Sequence, residues 1–193
     1  MVKQQKILLV NPSCLDKRIS GEDAYIVPIG LWYIGAVLIE NGFDTKIINL
    51  ADTRDDPVKV FQKIVATEQP DVIGFSVTNP NRFNAMECAG AARLLKPGIT
   101  IVFGGPAPTF LADHLLNACP GIDFIVTGEG EITFLELLNQ LEKKTDVSFE
   151  QIHGLVYKKG NNSFRTPQRS PVKTLDDLVH PSKYFSYQHL SMS

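Results

Sequence analysis

The chain has 193 residues, 44% of them hydrophobic, and sets 19 lysines and arginines against 21 aspartates and glutamates for a formal charge of −2. That is enough for one well-buried core with an appendage and too little for two full domains. The near-neutral balance excludes a general electrostatic attraction to nucleic acid or anionic membrane.

The N-terminal MVKQQKILLVNP holds only a short apolar run, and no window approaches the roughly 18–20 apolar residues a membrane helix needs, so neither secretion nor a membrane span is expected. Buried strands are predicted at KILLV (6–10), TKIINL (45–50), DVIGFSV (71–77), ITIVF (99–103) and IDFIV (122–126), each a brief apolar run. Between them lie segments of helical period. Leu31, Ile34 and Leu38 mark the first, Phe61, Ile64 and Val65 the second, with Pro57 after Asp56 reading as first helical residue after an N-cap. Each is expected to present one apolar stripe to a sheet. The small residues Ala85, Ala89, Gly90, Ala91 and Ala92 let a third helix, Phe83 to Leu95, approach closely, and Phe134, Leu137, Leu138 and Leu141 form a bulkier last stripe.

This alternation predicts a doubly wound α/β fold, a five-stranded parallel sheet in the flavodoxin-like (Rossmann-like) order 2-1-3-4-5 with right-handed crossovers. After about residue 145 it stops. HGLVYKKGNNSFRT reads as a β-hairpin around Gly160-Asn161-Asn162, followed by the polar, proline-bearing RTPQRSPVKTLDDLVHPSKYF. The expected division is residues 1–145 as the α/β domain and 146–193 as hairpin and linker.

Ligands of open parallel sheets bind beyond the carboxyl ends of the strands, here the loops NPSCLDKRISGEDAYIV, TNPNR, GGPAP and TGEGE. The first, Asn11 to Val27, far exceeds the usual 2–6 residues of a strand-to-helix connection, as functional loops often do. GGPAP fits both a tight turn without ligand and a ligand-facing opening, its prolines able to start a helix at Pro108. Gly128-Glu129-Gly130-Glu131 puts two acids at a helix N-terminus, where they cap the dipole and oppose a phosphate.

Neither GxGxxG nor GxxxxGK[ST] follows the first strand, which removes the main support for a dinucleotide or P-loop site. A response-regulator receiver is disfavoured because that strand ends in Asn11-Pro12 without an acidic pair. His114, His153, His180 and His189 show no metal-binding spacing, and no Ser/His/Asp or Cys/His set emerges. Cys14, Cys88 and Cys119 are an odd, scattered set, which argues against a disulfide framework and for a reducing cytoplasm.

In order and spacing, KILLVNP, PIGLWYIGAVLIENGFDTKIINL, PDVIGFSVT, PGITIVFGGPAPTF, DFIVTGEGEITFLELL and GLVYKKGN resemble the N-terminal cobalamin-binding domain of cobalamin-dependent radical S-adenosylmethionine enzymes, over about residues 6–185. The resemblance implies cobalamin held across the C-terminal edge of the sheet, its nucleotide tail displaced from cobalt and tucked into the protein. Asn11, Pro12 and Ser13 would line the first loop, and Ser76, Val77, Thr78 and Asn79 would sit beside the tail. Gly104, Gly105 and Pro106 would permit its close passage, and Glu129 and Gly130 would close the far side. No catalytic residue and no protein ligand to a metal is implied.

Other cobalamin domains carry DxHxxG after the first strand, its histidine ligating cobalt. Asn11 to Val27 holds no histidine, so base-off cobalamin without a histidine ligand is expected, with Ser13, Cys14 and Asp16 near its lower face. The family's CxxxCxxC does not occur before Ser193. S-adenosylmethionine and an iron–sulfur cluster are therefore expected only in a C-terminal radical domain, the chain being either the N-terminal fragment of such an enzyme, which the linker-like end favours, or a free-standing cobalamin module. Two other functions fit the same sheet: a cofactor-free interaction or sensory domain, and a flavin- or nucleotide-binding protein.

Overall fold

The structure, a computed structural model, describes residues 5–14, 28–51, 53–143, 145–160, 162–172, 174 and 178–185. Strands and helices alternate as β1 (Lys6–Asn11), α1 (Ile29–Glu40), β2 (Asp44–Asn49), α2 (Pro57–Glu68), β3 (Val72–Ser76), α3 (Arg82–Leu95), β4 (Thr100–Gly104), α4 (Pro106–Ala118), β5 (Phe124–Val126) and α5 (Glu131–Leu141). Then come β6 (Leu155–Lys159), β7 (Asn162–Arg165) and a short 3-10 turn, Pro181–Lys183. The sheet runs β2-β1-β3-β4-β5-β6-β7. Its first five strands are parallel in the expected flavodoxin-like order. The predicted hairpin forms and extends that sheet, β6 pairing antiparallel with β5 and β7 with β6; Asn161 in its turn lies outside the described residues.

Side chains alternate across the sheet and build two cores. Leu8, Val10, Ile73, Phe75, Ile101 and Phe103 face α2, α3 and α4 in one. Ile7, Leu9, Val72, Val102, Phe124 and Val126 meet Leu31, Leu38, Phe134 and Leu137 of α1 and α5 in the other.

Local chemistry starts the helices. Asp56 caps α2, its Oδ1 accepting the N–H groups of Val58 (3.0 Å) and Lys59 (3.2 Å), with Pro57 at the first helical position. Helix α4 starts at Pro106, two residues before the expected Pro108; both prolines fit because first-turn N–H groups have no intrahelical partner.

Helix α1 departs from the single-stripe expectation. Leu31, Gly35, Ala36, Val37 and Leu38 are buried, and Trp32 stacks on Phe185 of the C-terminal segment, 6.4 Å between ring centres. Glu40 binds Lys183 and Tyr184. The segment after β7 thus covers the outer side of α1, so the helix needs apolar residues on both sides. Earlier in the same segment Arg169 reaches α5, its Nε donating to Thr133 Oγ1 at 2.7 Å and its other end paired with Glu136. Among the described residues no helix is long and apolar enough to cross a membrane.

Candidate functional site: a cleft under helices α1 and α5

On the α1/α5 side, the residues that should fill the layer near the carboxyl ends of β3 and β4 are Gly74 and Gly104. With no side chain there, a cleft of about 280 Å³ opens between sheet and helices. Leu9, Leu31, Ile34, Val126 and Phe134 line it with apolar surface, and Gly104, Gly105, Pro106, Gly128 and Gly130 line it mostly with backbone. Ser76, Glu129 and Glu131 supply its hydrogen-bonding side chains, and no cationic side chain lines it among the described residues.

The paired glycines of GGPAP have different physical reasons. A Cβ at Gly104 would stand in ordinary van der Waals contact with Val126, 3.8 Å from its carbonyl oxygen, and would clash with nothing. A Cβ at Gly105 would come 2.9 Å from the carbonyl oxygen of Val77, and Gly105 has φ +99°, a region that favours glycine. Its neighbours fix the approach, Val77 N–H donating to Gly104 O at 2.7 Å and Ala107 N–H to Val77 O at 3.1 Å. Gly105 lines the cleft, but its missing side chain makes room for protein backbone, whereas that of Gly104 makes room in the cleft. Gly74 is intermediate, since its Cβ would press on the ends of Leu9 (3.0 Å) and Phe134 (3.1 Å).

Of the nominated residues, Ser76, Gly104, Gly105, Pro106, Glu129 and Gly130 line the cleft, and Asn11, Pro12, Ser13, Val77, Thr78 and Asn79 do not. Val77 packs its side chain into the opposite core. Asn11 donates to Asn49 Oδ1 at 2.8 Å, and the two oxygens of Asn79 are occupied by the Arg82 guanidinium. Two asparagines that sequence reasoning passed over organise the rest. Buried Asn81 accepts from Thr78 N–H (2.8 Å) and donates to the carbonyls of Ser76 (3.3 Å) and Pro12 (3.5 Å), and buried Asn84 accepts from Ser13 N–H (3.1 Å). They tie the end of β1 to the end of β3. Cys14 Sγ lies 3.8 Å from Pro80 O; Asp16 falls outside the described residues.

The two acids of the TGEGE loop behave differently. Glu129 Oε2 accepts the backbone N–H of Val172 at 2.6 Å, tying the C-terminal segment to the rim of the cleft. Burial pushes the Glu131 carboxyl above its ordinary value, the charge of Glu129 adds to the rise, and one of its oxygens is buried without a hydrogen-bond partner. Beside these carboxyl groups a neutral hydrogen-bonding group is favoured over an anion.

Gly74 could have been found from the sequence, since a glycine inside a buried strand marks a close approach. Leu9, Ile34 and Phe134 carry only the signal of core residues.

Residues 23–138, more than half of the chain, match the B12 binding domain family. An uncharacterized methyltransferase of Pyrococcus horikoshii is 34% identical over 186 residues, covering 94% of this chain and 39% of that protein. The anaerobic magnesium-protoporphyrin IX monomethyl ester cyclase of Synechocystis is 29% identical over 194 residues, covering 94% and 38%. This chain thus spans about two-fifths of the length of these curated relatives. In fold it is similar to the radical S-adenosylmethionine methyltransferase TsrM of Kitasatospora setae, solved with cobalamin and a [4Fe-4S] cluster (TM-score 0.72, 24% identity, 85% of this chain and 31% of that one). It is equally similar to the cobalamin-dependent radical enzyme OxsB, solved with aqua-cobalamin and S-adenosylmethionine (TM-score 0.72, 18% identity, 88% and 23%). With the flavodoxin-like order, the glycine-floored cleft and the family match in agreement, the chain belongs to the B12-binding domain family.

Proposed function

We propose that this chain is a cobalamin-binding module that presents the cofactor to a separate radical S-adenosylmethionine domain, for methyl transfer or a related radical reaction in the cytoplasm. The observation that carries the proposal is the cleft at Gly104: lined mostly by apolar side chains and glycine backbone, without a cationic side chain among the described residues, and with room where a Cβ would stand. At about 280 Å³ it lies at the small end of ligand sites, roughly 300–1,000 Å³. It suits the uncharged base at the end of the nucleotide tail, with the tail's phosphodiester kept away from the two carboxyl groups and the corrin left over the C-terminal edge of the sheet. Bound cobalamin supplies a cobalt–carbon bond able to carry a methyl group, and the protein supplies binding and orientation.

The cleft residues divide accordingly. Leu9, Ile34 and Phe134 exclude water from the tail, Ser76 and Glu131 offer it hydrogen bonds, and Asn81 and Asn84 hold the β1 loop beneath the corrin. With no histidine from Asn11 to Val27 and none lining the cleft among the described residues, cobalamin would be held base-off without a histidine ligand. Residues 1–145 form the cofactor unit, and 146–193, which begin with the strands that extend the sheet, lead toward the radical domain. That domain would hold S-adenosylmethionine and the iron–sulfur cluster. The lack of a GxGxxG or GxxxxGK[ST] phosphate loop after the first strand weighs against a flavin or nucleotide.

The test is retention. After incubation with hydroxocobalamin and gel filtration, the folded chain should carry one corrinoid per molecule with a base-off spectrum. Folded protein that emerges colourless from micromolar hydroxocobalamin would refute the reading.

A further inference from the structure

We infer that Thr109 is a positioning residue that sets the width of the cleft by tying its two loop walls together, and that it thereby governs recognition of the nucleotide tail. This rests on the cobalamin reading above.

Thr109 lies in the first turn of α4, within the motif GGPAPTF, and its hydroxyl is engaged on both sides. Oγ1 donates to the carbonyl oxygen of Gly105 at 2.9 Å and accepts the N–H of Gly128 at 3.0 Å. A hydroxyl has one proton to give, so the donor goes to the β4–α4 loop and an acceptor position to the β5–α5 loop. Both loops line the cleft, through Gly104, Gly105 and Pro106 on one side and Gly128, Glu129 and Gly130 on the other. The Gly105 end is fixed by its packing against Val77. The Gly128 end is not: it has φ +74° with nothing within 4 Å of a would-be Cβ, so no crowding holds that conformation. Thr127 is held by Gly154 O and Glu129 by the Val172 N–H on either side, and the Thr109 hydrogen bond adds the direct link from Gly128 to the β4–α4 loop. Because the Gly128 N–H is at an exposed contact, water can replace the lost partner, so removing the hydroxyl loosens the wall more than it unfolds the domain.

The experiment compares the wild type with Thr109→Val, which keeps the shape and loses the hydroxyl, and Thr109→Ser, which keeps the hydroxyl. Each is titrated with hydroxocobalamin and with cobinamide, the corrinoid without a nucleotide tail. Thr109→Val should bind hydroxocobalamin about tenfold more weakly, the scale of one hydrogen bond. Thr109→Ser should stay within about twofold of wild type, and all three should bind cobinamide alike. Amide exchange at Gly128 should quicken in Thr109→Val and not in Thr109→Ser. Thr109→Ala, with its high helix propensity, serves the same comparison should the valine variant fail to fold. Equal hydroxocobalamin binding by all variants, equal loss of both corrinoids, or no rescue by serine would overturn the inference. A wild type that binds neither corrinoid refutes the cobalamin reading and the recognition role with it; the tether itself is then decided by exchange at Gly128.

Discussion

The two faces of β3 and β4 are built from adjacent residues and differ in kind. On one, Phe75 and Phe103 stand fully buried beside Phe61, with ring centres 5.3 and 5.6 Å apart along the row, and the layer is solid. On the other, Gly74 and Gly104 leave the cleft. Because side chains alternate, one step along the strand separates a filled aromatic row from an open cleft. If the cleft holds the cofactor as proposed, stability and binding are assigned to opposite sides of the same two strands.

The largest effect should come from the solid side. Phe103→Ala removes a fully buried ring and should cost about 3–5 kcal/mol in denaturant unfolding, while molecules that remain folded keep their corrinoid. A variant that lost binding with its stability nearly intact would break the division between faces.

Next in size is the contrast within the glycine pair. Gly105→Ala forces a Cβ against the Val77 carbonyl at 2.9 Å in a backbone conformation alanine resists, and should destabilise by about 1–3 kcal/mol. Gly104→Ala has room, and its stability should change by less than about 0.5 kcal/mol. Its corrinoid retention should nevertheless fall, because the methyl group occupies the cleft. Thermal unfolding and gel-filtration retention of the two variants separate a glycine kept for the chain from one kept for a ligand.

That contrast also marks how far the sequence could be read. The five parallel strands were legible because strands buried on both faces leave unbroken apolar runs, and the Asp56-Pro57 start because a cap is local. The joining of the hairpin to β5 was not, since it comes with long-range contacts such as those of Ser163 and Arg165 in β7 with Asp113 in α4, which no nearby pattern announces. The cover over α1 shows in the sequence only as a helix with too little polarity. Within the site, Gly-Gly after a strand was visible, but whether each glycine served backbone or cleft required the position of Val77. Thr109, Asn81 and Asn84 act through bonds to other loops, so their composition gives them no signal.

The smallest effects concern two carboxyl groups, one on a helix of each face. At the end of α2, Glu68 binds Lys46 at 2.6 Å and Lys6 at 2.7 Å, and these hydrogen-bonded ammonium groups hold its pKa down at about 2. A carboxyl depressed in the folded state stabilises above its ordinary value of 4.5, and that contribution is lost as pH falls toward 2. Glu68→Gln should therefore be less stable than wild type at neutral pH, by about 1 kcal/mol or less given the exposure of the pairs, with the gap closing between pH 4.5 and 2. At the start of α5, Glu131 is shifted the other way by burial. The folded state then holds its proton more tightly than the unfolded chain, so wild-type stability declines as pH rises from 4.5 through the raised value. Over that range Glu131→Gln should gain on wild type as pH rises. Urea unfolding from pH 3 to 8 reads both signs, and Glu131→Gln tracking Glu68→Gln would show that the cleft carboxyl is solvated after all.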